Sequence, residues 1–185
     1  MAILFNGPSL AQHDLSKITV PTIGINRTHK GNKNYHGPDP NYLCVIDEVW
    51  LRVPEIRDHP GLVNGSVHKG NHGFRAARSM RTSPFSFDLG FDGYVCAVPC
   101  TTGHLALQLA AFLGFTDLYC LGFDLGGKHF DGSPGESQHF KMAVNLHKKQ
   151  VPVLKERGIN VYVVGSPDSN APFEHRTFEQ FMEAQ

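Results

Sequence analysis

The stretch CTTGHLALQLAAFLGFTDLYCLGFDL, residues 100–125, decides the fold of this chain. Apolar residues recur at spacings of three and four between Leu105 and Leu113, which predicts a helix over residues 103–113. The four apolar residues 118–121 that follow have the length of a strand covered on both faces in a parallel sheet. A helix that leads into such a strand predicts an α/β fold.

Residues with special backbone or capping properties mark both ends of this helix. Thr101 or Thr102 is expected to cap its N-terminus with a hydroxyl group, and Gly103 is expected to let another part of the backbone come close. Gly114 is expected to take the left-handed conformation that ends many helices. The N–H groups at such a helix start can bind a phosphate, although the same features also occur in ordinary core βα units.

Polar residues follow four of the predicted strands. The other short apolar runs predict strands at residues 2–5, 22–25, 42–46, 62–67, 94–98 and 160–164. Asn6, Asn26 and Asp47 directly follow the first three of these runs, and Asp124 stands shortly after the central strand. Ligands of open α/β sheets bind outside the carboxyl ends of the strands, so this row of residues predicts a ligand crevice.

Two loops are expected to contact the ligand. In the first loop, Gly7 permits close backbone approach, Pro8 sets the turn, and Ser9 offers a hydroxyl to a phosphate or to a short helix, although this is also good turn chemistry. The second loop, residues 126–135, is rich in glycine and is expected to fold over a bound ligand. Residues 28–41 form a third long loop between predicted strands.

Three further helices are predicted outside the central stretch. They cover residues 54–59, residues 136–157 with a kink at Pro152, and residues 174–183 at the end of the chain. The arginines at positions 75, 78 and 81 are spaced as on one helical face, which would either bind phosphate or be a solvated basic surface.

Composition limits the class of protein. The 185 residues fit one nucleotide-binding domain, residues 1–185, and the 41% apolar and 18% charged residues are ordinary for a globular protein. Seventeen basic residues balance seventeen acidic ones, which argues against a nucleic-acid partner. No apolar run approaches the length of a membrane span and no leader is evident, so a cytoplasmic protein is expected.

Cysteine and histidine usage favours neither a disulfide framework nor a metal site. Cys44, Cys96, Cys100 and Cys120 lie in or beside predicted strands without a CxxC pair and are expected to be buried thiols. His68 and His72, the closest of the eleven histidines, lie in a glycine-rich segment, which does not support a metal site.

Several motifs, taken in order, resemble those of the bacterial sialyltransferases of the Campylobacter type and of the related 6-hydroxymethylpterin diphosphokinase-like family. They are NGPSL after the first strand, TTGHLALQLAAFLGFTDLYCLGFDL in the centre, and KERGINVYVV near the end, and together they extend over roughly residues 2–165. The resemblance implies a single Rossmann-like domain with a mostly parallel sheet flanked by helices. It also implies a transferase that moves a glycosyl group from a nucleotide-sugar to a hydroxyl acceptor.

The resemblance assigns roles to individual residues. The expected nucleotide-binding residues are Asn6, Gly7, Pro8, Ser9, Asn26, Asp47, Thr101, Thr102, Gly103 and Asp124. The first loop and Asn26 would face phosphate and ribose, the Thr-Thr-Gly turn would face the cytidine part, and Asp47 replaces an asparagine that touches the nucleotide. His139 lies nearest to the family's general base, and an imidazole that titrates near neutral pH suits that role.

The loop after Asp124 departs from the sialyltransferase pattern. It contains His129 and Asp131 near the expected leaving group, in place of the tyrosines that hold the leaving phosphate in sialyltransferases. The sequence GFDLGGKHFDG more closely resembles the diphosphokinase-like branch, where Asp124 and Asp131 would hold magnesium on a polyphosphate. Magnesium-dependent diphosphate transfer from ATP is therefore the second hypothesis, and a nucleotide-binding protein without catalysis is the third. No cofactor other than this magnesium is expected.

Overall fold

The structure is a computed structural model that describes residues 1–64, 81–83, 95–97, 101–135 and 137–185. Its strands are β1 (Ala2–Leu4), β2 (Thr22–Ile25), β3 (Tyr42–Val45), β4 (Leu62–Asn64), β5 (Arg81–Ser83), β6 (Val95–Ala97), β7 (Asp117–Leu121), β8 (Asn160–Val164) and β9 (Glu174–Arg176). Its α-helices are α1 (Glu48–Leu51), α2 (Pro54–Arg57), α3 (Thr102–Phe112), α4 (Ser137–Glu156) and α5 (Phe178–Glu183). Two 3₁₀ helices, Pro8–Gln12 and Leu15–Lys17, follow β1.

Seven strands form one sheet in the order β4-β3-β2-β1-β7-β8-β9. Every neighbouring pair in this sheet is parallel. The chain first builds outward from β1 through β2, β3 and β4, and then starts again on the other side of β1 with β7. This arrangement confirms the predicted Rossmann-like α/β fold. The strands β5 and β6 pair with each other in a separate parallel ribbon.

The central strand β1 is buried on both faces. Ile3 and Phe5 pack into a core that includes α3, while Ala2 and Leu4 pack into a second core with the 3₁₀ helices and α5. Because successive side chains of a strand point to opposite faces, an all-apolar strand needs a layer on each side. The apolar strand runs of the sequence therefore correspond to a sheet covered by helices on both faces.

Helix α3 is buried around its whole circumference rather than along one stripe. All residues from Thr102 to Ala110 are buried, including His104 and Gln108. Gly114 follows the helix with a φ of +86°, and Phe115 N–H donates to the carbonyl of Ala110 at 3.1 Å. The predicted left-handed end of the helix is confirmed.

The end of the chain differs from the prediction of one helix over residues 174–183. Strand β9 pairs with β8, and α5 begins only after Thr177. The Thr177 hydroxyl accepts from Gln180 N–H, and the Gln180 side chain accepts from Thr177 N–H, which is a capping box. The guanidinium of Arg176 also lies 3.6 Å from the ring centre of Tyr162 in β8. These contacts favour an edge strand where the local pattern favours a helix.

Other predictions had mixed outcomes. Arg81 lies in β5, so the proposed helical face of arginines is wrong at this residue, while Arg75 and Arg78 lie outside the described residues. Cys44 and Cys120 are buried as predicted, and the side chains of Cys96 and Cys100 lie outside the described part. Among the described helices, none has both the length and the apolar content required to cross a bilayer.

Asp124 ties the loop after β7 to the loop after β1. Its Oδ2 accepts from Ser9 N–H at 3.1 Å and from the Ser9 hydroxyl at 2.9 Å. Gly7 N–H donates to the carbonyl of Gly122 at 2.8 Å, so the two loops lie directly against each other. A Cβ atom at Gly7 would lie only 2.0 Å from Asp124 Oδ2. The predicted close approach at Gly7 is confirmed.

Replacing Gly7 by alanine should therefore destabilise the fold. We expect Gly7→Ala to lower the free energy of unfolding by about 1–3 kcal/mol, because the added methyl group must displace the Asp124 carboxylate. Urea unfolding followed by circular dichroism measures this change. Gly126→Ala is the matched control, since its Cβ meets nothing within 4 Å, and it should change stability by less than about 0.5 kcal/mol. Equal stability of the two variants would contradict the contact.

Candidate functional site

A cavity of about 570 Å³ opens at the carboxyl edge of the sheet. Its described walls come from the residues that follow β1, β2, β3 and β7, from the start of α3, and from the first turns of α4. The strand order reverses between β1 and β7, and such a reversal is where α/β sheets leave a crevice for ligands. The volume lies within the range of about 300–1,000 Å³ that is usual for small-molecule sites.

Most of the predicted nucleotide-binding residues meet in this cavity. The predicted residues that line it are Asn6, Gly7, Asn26, Asp47, Thr101, Thr102, Gly103 and His129. Pro8, Ser9, Asp124 and Asp131 are not among its described lining residues. The backbone of His139 lies in the first turn of α4, next to Phe140 of the lining, but its side chain lies outside the described part.

Ser9 has a structural role in place of the predicted phosphate contact. Both its N–H and its hydroxyl bond to Asp124, and its Oγ also lies 2.5 Å from the Oγ of Ser166. The side chain is buried, with 4% of its surface exposed. Because its donors are already engaged inside the fold, Ser9 has none to offer a phosphate. The loop after β1 therefore contributes Asn6 and Gly7 to the cavity, and Ser9 fixes their position.

Asn26 joins the end of β2 to the start of α3. Its backbone takes a φ of +47°, which asparagine tolerates better than most residues. Its Oδ1 accepts from the Thr102 hydroxyl at 3.3 Å, which leaves the Nδ2 group of the amide for other partners. Leu125, which also lines the cavity, has a φ of +52°. Strained backbone of this kind concentrates at binding and catalytic sites.

The hydroxyl of Thr101 does not cap α3, although Thr101 occupies the N-cap position. Its Oγ1 lies 2.7 Å from Nδ1 of His104 instead, and the Thr102 hydroxyl is directed to Asn26. The prediction of a hydroxyl cap is wrong, because an imidazole and an amide bind the two hydroxyls. The first N–H groups of α3 thus reach the cavity wall without a cap from either threonine.

Gly103 allows a ring, not a backbone segment, to approach the helix. A Cβ atom at Gly103 would lie 2.6 Å from Cε1 of Phe5. Phe5 in turn stacks on Phe123, with the ring centres 4.0 Å apart. The two rings form the apolar floor of the cavity between β1 and β7. The sequence analysis did not identify this floor, because apolar residues at strand ends look like ordinary core.

The loop of residues 126–135 is held against the cavity by its own contacts. Lys128 forms an antiparallel bridge with Pro134, and Phe130 N–H donates to the carbonyl of Asn6 at 2.8 Å. The Asp131 carboxylate pairs with Arg27 and accepts from the Ser133 hydroxyl at 2.7 Å. Burial acts to raise the pKa of Asp131, but the Ser133 and Arg27 contacts outweigh it and the pKa lies below its usual value.

Lys128 and His129 bring functional groups of this loop to the cavity. Lys128 is exposed and was missed by the sequence analysis, although a lysine in a glycine-rich loop is a recognisable phosphate-binding signal. Burial is the main cause that lowers the pKa of His129, and the nearby Arg27 lowers it further. His129 is therefore neutral at neutral pH and has a lone pair available to accept a proton.

The residues suggested for magnesium do not fit a metal ion. Asp124 is bound by Ser9, and Asp131 is bound by Arg27 and Ser133. Neither residue is among the described lining residues of the cavity, where magnesium would have to meet a polyphosphate. Within the described ranges, no cluster of three or more histidine, cysteine, aspartate or glutamate side chains is arranged to hold a metal.

Two histidines lie stacked beneath the cavity. The rings of His104 and His147 are 3.7 Å apart at 7° to each other, and both side chains are buried. Burial, together with the other ring, holds the pKa of His104 well below its ordinary value. Burial lowers the pKa of His147 to about 4. Sequence patterns do not indicate this pair, because the two histidines lie far apart in the chain and meet only in the fold.

Comparisons of the chain with protein-family models, with curated proteins and with solved structures found no match. The resemblance to the sialyltransferases and the diphosphokinase-like family therefore stays a prediction from the motifs. The fold and the site define a class instead: a Rossmann-like α/β protein with a cavity at the reversal of its strand order.

The buried histidine pair should make the fold sensitive to mild acid. Below about pH 6.5, His104 and His147 bind protons in the unfolded chain but stay neutral in the folded protein. The free energy of unfolding therefore keeps its full value above this pH and decreases as the pH falls below it. We expect His147 alone to account for about 2 kcal/mol of lost stability between pH 6.5 and 5. Urea unfolding at several pH values measures this slope.

Two variants separate this pair from the other histidines. His147→Phe keeps an aromatic ring in the stack but cannot take up a proton, so its stability should depend less steeply on pH than that of the wild type. His36→Asn changes an exposed histidine and should leave the slope unchanged. An unchanged slope in His147→Phe would show that the pair does not control acid stability.

Proposed function

We propose that this chain is a transferase that binds a nucleotide or nucleotide-sugar in the cavity and moves a glycosyl group to a hydroxyl acceptor. The observation that carries the proposal is the convergence of four strand ends and the start of α3 on one cavity at the strand-order reversal. The motif resemblance independently favours the same class of reaction. A nucleotide has a phosphate, a ribose and a base, and different parts of the cavity wall are suited to bind each of them.

Phosphate binding is assigned to the start of α3 and to Lys128. The N–H groups of the first helical turn favour an anion, and the helix dipole adds to that preference. The threonine hydroxyls do not occupy these N–H groups. Lys128 is the one cation among the described lining residues, and it adds a full positive charge to the partial positive charge of the helix start.

Ribose and base binding are assigned to Asn26, Asp47 and the aromatic floor. Asp47 is exposed at the end of β3, where its carboxylate can accept from sugar hydroxyls. The Nδ2 group of Asn26 can donate to a carbonyl or ring nitrogen of a base. Phe5 and Phe123 are buried rings that give the cavity an apolar floor, against which the base or the sugar would pack.

The proposed reaction needs a base for the acceptor hydroxyl. The imidazole takes the hydroxyl proton while the acceptor oxygen bonds to the anomeric carbon, and the bond from that carbon to the phosphate oxygen breaks. The phosphate keeps the electron pair and leaves with the nucleotide. His139 is the base implied by the motifs, and His129 is a second candidate because it lines the cavity in a neutral state.

The other two hypotheses have less support. Magnesium-dependent diphosphate transfer would need Asp124 and Asp131 as ligands at the phosphates, and neither is among the described lining residues of the cavity. A nucleotide-binding protein without catalysis would use the same cavity, and only the behaviour of the histidine variants distinguishes it from the transferase.

A thermal-shift screen tests ligand binding. We expect one of CMP, UDP, GDP, ATP or their sugar conjugates, at about one hundred times its dissociation constant, to raise the Tm by roughly 5–10 °C. The glycosyl-transfer proposal expects this shift to persist in EDTA, whereas the diphosphokinase hypothesis expects it to require magnesium. Lys128→Ala should reduce the shift without lowering the Tm of the unliganded protein. If no nucleotide raises the Tm, the proposed function is wrong.

Variants of the two histidines test catalysis. His139→Ala or His129→Ala should keep the thermal shift of the bound nucleotide and slow release of free nucleotide from its sugar conjugate by 10²–10⁴-fold, as expected for loss of a general base. Release is measured by chromatography of the reaction mixture. His175→Ala, on β9 outside the cavity lining, is the control and should leave the rate unchanged. Full activity in both His139→Ala and His129→Ala would exclude a base at either position.

A further inference from the structure

The buried pair His104 and His147 contacts the cavity wall through the polar side chain of Thr101 and through the ring of Phe123. Nδ1 of His104 lies 2.7 Å from the Oγ1 of Thr101, and Thr101 lines the cavity. The other nitrogen of the same ring, Nε2, is buried and has no hydrogen-bond partner among the described residues. The two nitrogens of His104 therefore have different environments, and only one of them can carry the proton of a neutral imidazole.

The environment of the ring selects its tautomer. A proton on Nε2 would bury an N–H donor without an acceptor, which is among the rarest defects of folded proteins. A proton on Nδ1 leaves only an acceptor lone pair unsatisfied at Nε2, and such a defect is better tolerated. His104 therefore donates from Nδ1 to Thr101. This is the reverse of the Nε2–H form that histidine prefers in water.

His147 repeats the same arrangement. Its Nδ1 lies 3.1 Å from Oε1 of Gln150, while its Nε2 is buried and has no partner in the described part of the chain. The ring stacks on His104, and the edge contact with Phe123 fixes its orientation. The described hydrogen-bond and ring partners of the pair are Thr101, Gln150, Phe123 and Phe173, none of which is ionisable. The stack thus holds the His104 ring at one angle to Thr101.

The tautomer determines what Thr101 can do. A hydroxyl oxygen that accepts from His104 directs its own O–H proton away from that ring. The helix does not use this hydroxyl as its cap. The side chain is half-buried at the cavity wall, so the O–H bond is free to point into the cavity.

We propose that His104, held by its stack on His147, is a positioning residue that makes the Thr101 hydroxyl a hydrogen-bond donor to an oxygen acceptor of the bound ligand. The acceptor is a phosphate or carbonyl oxygen, since both present lone pairs without a competing donor. The ligand part of this inference rests on the proposed function, whereas the tautomer of His104 does not. The depressed pKa values of both rings keep them neutral over the neutral pH range, which the arrangement requires.

Nuclear magnetic resonance of the unliganded protein tests the tautomer directly. Protein labelled with ¹⁵N-histidine, measured at pH 7 through long-range ¹H–¹⁵N couplings, should show His104 in the Nδ1–H form. The ring signal that disappears from the spectrum of the His104→Phe variant is assigned to His104. Thr101→Val should shift the His104 signal, whereas Thr101→Ser, which keeps the hydroxyl, should restore the wild-type pattern. An Nε2–H or doubly protonated His104 would overturn the proposal.

Binding of CMP, measured by calorimetry, tests the donor role. Thr101→Val and His104→Phe should each weaken CMP binding about tenfold, and Thr101→Ser should leave it within about twofold of the wild type. Wild-type affinity in Thr101→Val would overturn the donor role even if the tautomer is correct. If neither CMP nor any other nucleotide binds the wild type while His104 is in the Nδ1–H form, the proposed function fails and the tautomer assignment stands.

Discussion

The pairing of β1 with neighbours on both sides is the constraint on which the rest of the structure depends. Ile3 pairs with Ile23 in β2 and with Cys120 in β7, so the first strand of the chain is the centre of the sheet. The connections after β1 and after β7 must then leave the same edge in opposite directions. A crevice opens between them, and the Asp124 contact with Ser9 ties the two connections together. The cavity is therefore a consequence of strand order and does not depend on any one loop.

Most of this architecture could be predicted because it depends on local patterns. Short apolar runs predict strands covered on both faces, and the positions that follow them are at the carboxyl edge in any parallel sheet. For this reason Asn6, Asn26 and Asp47 could be placed in one crevice without knowledge of the strand order. The glycines had equally local signals, since Gly114 needs only its place after a helix.

The roles of individual polar groups could not be predicted, because each depends on a partner distant in the sequence. Ser9 looks like a phosphate ligand until Asp124, 115 residues away, binds both its donors. Thr101 looks like a helix cap until a buried imidazole one turn later binds its hydroxyl. The edge strand β9 likewise depends on pairing with β8, which outweighs a local preference for helix. Sequence patterns thus identified which residues lie at the site but not what their donors and acceptors contact.

The site also departs from the rules that stabilise the rest of the fold. Leu125 holds a left-handed backbone that is strained for a bulky side chain, at a cost of about 1–3 kcal/mol. Helix α3 lacks the hydroxyl cap that Thr101 could provide, and such a cap would stabilise the helix by about 1 kcal/mol. His104 and His147 bury ring nitrogens that have no partner among the described residues. Leu125 and Thr101 line the cavity, and His104 contacts its wall through Thr101. A cluster of such departures around one cavity is expected where binding, as well as stability, determines the arrangement.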